Sequence, residues 1–317
     1  MQVRTIAVGV CTFRRPEQLA RCLQSLAALD RPDAAGFCII IADNDPEGSA
    51  RPVVERFREG AGCGVYYAVE VRRGIPFARN NIIERAVRLG ITDLACIDDD
   101  EYVYPGWLVT LWDRYVSSGA DVMAGYVETV YPAETPRWII EGKFFQNAQR
   151  PAGTPLSTAA TGNVVFNVQK LAVQWGLRFD ERFGLAGGSD TDFFYRAARQ
   201  GAVMMWTADA PAYEELARER MRLSYLLKNR FRKSNLKPGY ALLTIPQKTA
   251  LFLGLLKKII MGVLVLPVSL VRGFSRFAGV LNDTVAAIAN MLALLGWRFR
   301  WDEYTGSSER NAKPPDS

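Results

Sequence analysis

Short apolar runs alternate with amphipathic stretches through the first hundred residues of the chain. Residues 6–11, 38–42, 65–71 and 94–97 are apolar runs of strand length, and the last stops abruptly at four acids. Such runs read as buried strands that reach a surface. Between them, residues 16–29 place Leu19, Cys22, Leu23 and Leu26 on one helical face, with Pro16 in the first turn. Residues 53–57 read as a short helix. Residues 77–89 read as a longer one, with Ile82, Ile83, Ala86 and Leu89 apolar. Strand–helix alternation predicts an α/β fold, a parallel sheet covered by helices. In such sheets ligands bind beyond the carboxyl ends of the strands. The polar residues placed there are Thr12 and Arg14, Asp43-Asn44-Asp45, and Asp98-Asp99-Asp100-Glu101.

From about 106 to 212 the pattern is mixed. Residues 107–115 read as a helix, and 122–130 and 164–166 as strands. Residues 192–199 read as a helix whose acidic start suits the helix dipole. Residues 131–155, with prolines at 132, 136, 151 and 155, read as a long loop. Loops of that length in compact domains tend to be functional or mobile.

Composition shifts after about residue 219. Arg220, Arg222, Lys228, Arg230, Arg232, Lys233 and Lys237 follow one another without an intervening acid. Two apolar segments come next, 249–271 and 277–297. Lys257 and Lys258 interrupt the first, where Pro267 is expected to bend or end a helix, and Asn282-Asp283 interrupts the second. The longest uncharged runs are about 13–14 residues, short of the roughly 20 that a spanning helix needs. Helices lying in a membrane interface, with Lys and Arg reaching lipid head groups, fit this pattern; a helical cap or a dimer interface would fit it too. The expected organisation is an α/β domain over 1–213, a basic and amphipathic helical region over 214–305 that meets a membrane surface, and a disordered tail over 306–317.

With 317 residues, 49% of them hydrophobic, the chain can bury a core and add an appendage. The five cysteines form no C-x-x-C pair, and Cys11, Cys38 and Cys96 sit in strand-like runs, where a free thiol acts as a small hydrophobe. That favours a reducing compartment. The first residues lack the apolar segment and cleavage site of a signal peptide, so a cytoplasmic location is expected. Histidine is absent, which excludes histidine triads, histidine zinc sites and histidine proton shuttles. Acid–base chemistry falls to carboxylates, Lys, Tyr or Cys.

Four acids in a row are conspicuous in a chain of net charge +6. Clustered carboxylates repel one another, and a hard cation such as Mg²⁺ or Mn²⁺ would neutralise them. Such an ion usually keeps positions for water and substrate phosphates, so the cluster points to a nucleotide diphosphate site. A solvated acidic turn is the plain alternative.

Five pieces in order resemble glycosyltransferase family 2, whose members have the GT-A fold. They are Val8-Gly9-Val10-Cys11-Thr12-Phe13-Arg14-Arg15-Pro16, Ile40-Ile41-Ala42-Asp43-Asn44-Asp45, Gly74-Ile75-Pro76-Phe77-Ala78-Arg79-Asn80, Asp98-Asp99-Asp100 as the D-x-D motif, and Gly187-Gly188-Ser189-Asp190-Thr191-Asp192. Their order and spacing agree over roughly residues 3–210. The basic stretch after Glu214 and the segment 296–304 further resemble bacterial members that build exopolysaccharide repeat units.

The resemblance implies roles. Thr12, Phe13 and Arg14 would line the nucleotide pocket, and Asp43 would accept from uracil N3–H of a UDP-sugar; a turn cap is the ordinary use of such an Asp. Arg79 would lie near the diphosphate or the acidic cluster, or else form a structural ion pair. Asp98 would contact ribose, with Asp99 beside it, and Asp100 would ligate the metal. Gly162 and Asn163 would lie near the sugar. Asp190 would be the general base, taking the acceptor's proton during an inverting displacement, although it would also suit a helix cap. Asp192 would support it from the helix.

Two departures from the family pattern stand out. Ser189 replaces the usual Glu, and the late histidine that serves some relatives as a metal ligand has no counterpart. Metal binding without UDP is therefore expected to be weak. The function implied is transfer from a UDP-sugar to a polyprenyl-diphosphate-linked saccharide at the cytoplasmic face of a bacterial membrane, the basic C-terminal region facing its anionic leaflet. A sugar-phosphate nucleotidyltransferase and a basic nucleic-acid-binding protein are the other readings. The first lacks a Gly-rich basic loop after the first strand. The second is disfavoured because Lys and Arg lie beside apolar segments rather than among exposed aromatics. Oligomeric state is open.

Overall fold

The structure is a computed structural model that describes residues 4–32, 34, 36–185, 187–236, 240, 243–301 and 308–310. In chain order the strands are β1 (Thr5–Thr12), β2 (Gly36–Asp43), β3 (Gly64–Val69), β4 (Asp93–Asp98), β5 (Glu101–Val103), β6 (Val122–Val130), β7 (Val164–Asn167), β8 (Met204–Glu215), β9 (Phe299–Trp301) and β10 (Ser308–Arg310). The α-helices are α1 (Pro16–Ala27), α2 (Arg51–Arg58), α3 (Ile75–Arg88), α4 (Trp107–Ser118), α5 (Arg137–Gly142), α6 (Ser189–Arg199), α7 (Leu223–Asn235), α8 (Ile245–Val271) and α9 (Phe274–Leu294). They fall into two compact units, Met1–Val130 with Asn147–Glu215, and Tyr131–Gln146 with Leu216–Ser317.

The first unit is built on one sheet of order β3-β2-β1-β4-β7-β6-β8-β5. β1 to β4 run parallel in it, while β7 is antiparallel to both β4 and β6, so the sheet is mixed rather than wholly parallel. Period-2 alternation divides the core. Ile6, Val8 and Val10 face α1, α2 and α4, where Leu19, Leu23, Trp107 and Leu111 are fully buried. Ala7 faces α3 and α6 with Ile82, Ile83, Phe193 and Phe194. Gly9 lies on that second face. A Cβ there would come within 2.7 Å of Ile82 Cγ2, so only glycine lets α3 settle so close to the sheet. All five cysteines are free thiols, and burial pushes those of Cys11 and Cys96 up, which makes them inert packing groups.

The structure adds what the pattern hid. β5 is only three residues long, and β8 interleaves Asp209, Pro211, Glu214 and Glu215 with its apolar residues. α6 begins three residues earlier than expected. Gly187 and Gly188, both at positive φ, turn the chain into it, which places Asp190 inside the first turn. The expected loop over 131–155 holds α5, with Pro136 as its N-cap and Ile139 buried.

In the second unit α9 is the hub on which α5, α7 and α8 pack. Buried Ala278, Ala286, Ala289 and Ala293 give α9 a narrow face that lets neighbours approach. Asn235 at the end of α7 donates to Ala289 O and Trp297 O and accepts from Phe299 N–H. The Trp138 ring meets Phe144 and Phe274. The uncharged runs that looked too short to span belong to continuous helices of 27 and 21 residues, both long and apolar enough to cross a membrane by length and composition. Lys257 and Lys258 do not break α8, because Lys is a good helix former, and Pro267 lies inside it. Residues 308–310 of the tail expected to be disordered pair with β9. Lys237 and the rest of that tail lie outside the described residues.

Candidate active site at the strand ends

Parallel register brings the chemistry together. Thr12 pairs with Asp43 across β1 and β2, and Cys11 with Asp98 across β1 and β4, so three strands deliver polar residues to one edge. Beyond β4 the chain turns through Asp99 and Asp100 into β5. Thr12 Oγ1 donates to Asp99 Oδ2 at 2.8 Å. Arg15 Nη1 donates to Asp99 Oδ1 and to Asp100 Oδ2, both at 3.2 Å. The Asp98 N–H donates to Glu101 Oε2 at 3.1 Å.

These carboxylates are short of compensation. Burial pushes Asp98 up to about 7, against the opposing charge of Arg79, and Asp100, Asp99 and Asp190 add to the rise. Burial likewise pushes Asp99 up to about 6 against Arg15, and lifts Glu101 well above its ordinary range, with Asp98 contributing. The backbone closes on them from one side: a Cβ on Gly162 would stand 2.6 Å from Glu101 Oε1 and 3.3 Å from Asp98 Oδ2. Among the described residues no three His, Cys, Asp or Glu side chains form a ligand cage. Desolvated, mutually repelling acids at a strand end fit a divalent cation held by one or two carboxylates and completed by ligand phosphates and water.

Arg79 projects from α3. Its Nη1 donates to Ser189 Oγ at 3.1 Å, and its guanidinium lies 5.5 Å from the Phe179 ring centre. Burial works against its charge, but Asp190 and Asp98 outweigh burial and keep it protonated. Arg79 thus stands between the acidic turn and the start of α6. A cavity beneath is lined by Cys11, Arg79, Cys96, Asp98, Thr161 and Phe179. The Thr161 hydroxyl is buried without a hydrogen-bond partner.

Asp190 sits in the first turn of α6, half-buried, with Oδ1 accepting from Thr191 N–H at 2.8 Å. The N-cap is Gly188, so Asp190 does not cap the helix. Asp192, one turn ahead of Arg196 on the helix, is engaged by its guanidinium at 2.8 Å.

Two expected ligand contacts also have structural roles. Asp43 is wholly buried, and its oxygens accept from Asp45 N–H, Ala50 N–H and the Tyr67 hydroxyl, so it builds its own turn, the ordinary use of such an Asp. Asn163 is also wholly buried. Its amide donates to Tyr126 O and Ala210 O and accepts from Trp107 Nε1, which makes the side chain a brace of the sheet. It holds φ 56° for that purpose. Arg14, also at positive φ, pairs with Asp45 at 3.2 Å, and Phe13 lies between the guanidinium groups of Arg14 and Arg73. Sequence reasoning missed Arg15 and Thr161. Arg15 stood in the quoted motif, one residue before the helix, and its place there was the available signal. Thr161 carried none.

Comparison with known proteins bears on this geometry. Residues 7–173 match the profile described as glycosyl transferase family 2. Over 227 residues, 72% of each protein, the chain is 36% identical to succinoglycan biosynthesis protein ExoM of Rhizobium meliloti (strain 1021). The crystal structure of residues 1–349 of S. aureus TarS in complex with UDP superposes with a TM-score of 0.53 at 14% identity, covering 99% of this chain and 98% of that one. GalNAc-T7 with UDP, GalNAc and Mn²⁺ gives 0.52 at 13% identity, covering 74% of this chain and 48% of that one. At such identities the likeness is one of fold, the mostly parallel, helix-flanked GT-A sheet.

Proposed function

Because the chain belongs to glycosyl transferase family 2 and is a glycosyltransferase, we propose that it moves a sugar from a UDP-sugar to a polyprenyl-diphosphate-linked saccharide, with inversion at the anomeric carbon. The observation that carries this reading is Arg79: one half-buried guanidinium set between the acidic turn and Asp190. Donor and acceptor chemistry then meet at one cation.

Asp190 takes the proton from the acceptor hydroxyl as that oxygen attacks the anomeric carbon opposite the departing UDP. The C–O bond to the acceptor forms while the bond to the diphosphate breaks, so one displacement inverts the centre. Asp100, with Asp98 and Asp99 beside it, would hold Mg²⁺ or Mn²⁺; when bound, the ion supplies Lewis-acid stabilisation of the leaving diphosphate. Mn²⁺ in the GalNAc-T7 structure supports this assignment. Arg79 faces the same negative charge. Thr12 anchors Asp99, and Phe13 with Arg14 offers a flat, cationic surface to the nucleotide. Gly162 keeps the floor clear above Asp98. UDP in the TarS and GalNAc-T7 structures supports the choice of nucleotide.

The acceptor class rests on two supports. ExoM of Rhizobium meliloti (strain 1021), 36% identical, is a succinoglycan biosynthesis protein. The second unit also carries two long apolar helices with basic α7 beside them. Unpaired apolar side chains along α8 and a mid-helix lysine pair suit helices held at the cytoplasmic face of the inner membrane, peripheral or monotopic, with lysines reaching head groups. Family membership accounts for both the acidic turn and the segment 187–192 at the start of α6, which disfavours the nucleotidyltransferase and nucleic-acid-binding readings.

Calorimetry of UDP, GDP and CDP, each with and without Mn²⁺, tests the donor. Metal-dependent, UDP-selective binding is expected, followed by transfer to lipid-linked acceptors from one UDP-sugar. Equal binding of all three nucleotides, or none in folded protein, would reject it.

A further inference from the structure

Arg15 stands at the N-cap of α1, one residue before Pro16, and reaches the turn after β4. A single nitrogen, Nη1, donates to both Asp99 and Asp100. Asp99 is almost closed to solvent and Asp100 partly open, while the Arg15 side chain is 43% exposed. A long side chain that solvent reaches is thus inserted between two carboxylates.

We propose that Arg15 is a built-in counter-ion of the acidic turn, which competes with the divalent cation for Asp99 and Asp100 and is displaced onto the diphosphate when metal and nucleotide arrive together. This rests on the metal-dependent donor reading above.

Three observations carry it. The acids after β4 repel one another, and one Arg15 nitrogen bridges two of them at 3.2 Å. A guanidinium and a divalent ion cannot share the same carboxylate oxygens, because like charges a few ångströms apart repel strongly at low dielectric. Asp99 has a second hold, the Thr12 hydroxyl on its other oxygen, so it keeps its place when Arg15 departs. The released guanidinium is a planar fork that suits phosphate oxygens, and it sits at the strand end where the diphosphate would lie. Metal alone must break the Arg15 bridge to both carboxylates. Metal with diphosphate supplies a replacement anion for that bridge, so the two ligands should bind synergistically.

The test is calorimetry of MnCl₂ into nucleotide-free wild type, Arg15→Gln and Arg15→Lys, then of UDP at saturating Mn²⁺. Arg15→Gln is expected to bind Mn²⁺ alone about tenfold more tightly, and UDP with Mn²⁺ about tenfold less tightly. Arg15→Lys keeps the charge without the fork. Its Mn²⁺ affinity should stay within about twofold of wild type while its UDP affinity falls. A merely structural arginine would not tighten metal binding when removed. If Arg15→Gln binds Mn²⁺ no more tightly than wild type while Mn²⁺-dependent UDP binding persists, the counter-ion role is overturned. If wild type itself shows no Mn²⁺-dependent UDP binding, the donor reading has failed instead.

Discussion

Arg79 and Ser189 join α3 to the first turn of α6: the guanidinium donates to the serine hydroxyl at 3.1 Å. Ser189 is buried and uncharged, at the position where the family pattern has Glu. A neutral partner leaves the charge of Arg79 to be answered by Asp190 and Asp98. Ser189→Ala removes an acceptor from a half-buried cation, which is expected to cost about 0.5–1.5 kcal/mol of stability. Urea denaturation measures it, and an unchanged midpoint would show that Arg79 does not depend on that hydroxyl.

Asp190→Asn keeps the shape of the first turn of α6 and removes the base. The turnover number should fall by about 10²–10⁴-fold, with calorimetric UDP affinity nearly unchanged. Near-normal turnover would move the base elsewhere. A parallel loss of UDP binding would mean that Asp190 serves the donor site.

The acidic turn sets a pH dependence. Burial raises Asp98 from an ordinary 3.8 to about 7. A carboxyl whose native value exceeds its unfolded value binds its proton more tightly when folded. Its stabilising contribution is full below about pH 4 and is lost as pH rises toward 7. Asp98→Asn should therefore raise the melting temperature of the nucleotide-free protein at about pH 8 and change it little near pH 4. Thermal scans of both proteins across that range check this. The same proton competes with a cation, so UDP with Mn²⁺ should bind more tightly at about pH 8 than at about pH 5.5.

Leu264 and Val271 on α8 are 65% and 89% exposed, so charge placed there disturbs little packing. Leu264→Glu with Val271→Glu should leave the melting temperature close to wild type. The fraction sedimenting with anionic phospholipid vesicles should fall several-fold, since each apolar side chain buried in lipid contributes up to about 1.5–3 kcal/mol. Undiminished sedimentation would place membrane contact on another face.

Much of this was legible in the chain because short apolar runs and Pro-started helices report burial directly. Val122–Val130 was read to the residue, and β1, β2 and β4 within two residues at each end. β8 was not, since Asp209, Pro211 and the two terminal glutamates mask its alternation. Asp43 and Asn163 show a different limit. A strand-end Asp and a loop Asn have the composition of ligand contacts, and only coordinates reveal the backbone groups that their oxygens and amides also hold. Arg15 was invisible as a partner of Asp99 because the two lie 84 positions apart in sequence.

The excursion after β6 constrains how this chain can be taken apart. The polypeptide passes between its two compact units at three places, after Val130, after Gln146 and after Glu215, so no single cut separates them. A chain ended at Glu215 would keep α5 without α9, uncovering Ile139 and depriving Trp138 of Phe274. Such an apolar remnant invites self-association. Exchange of the helical module between related proteins therefore has to carry residues 131–146 with it: the module is discontinuous in the gene although it is continuous in space.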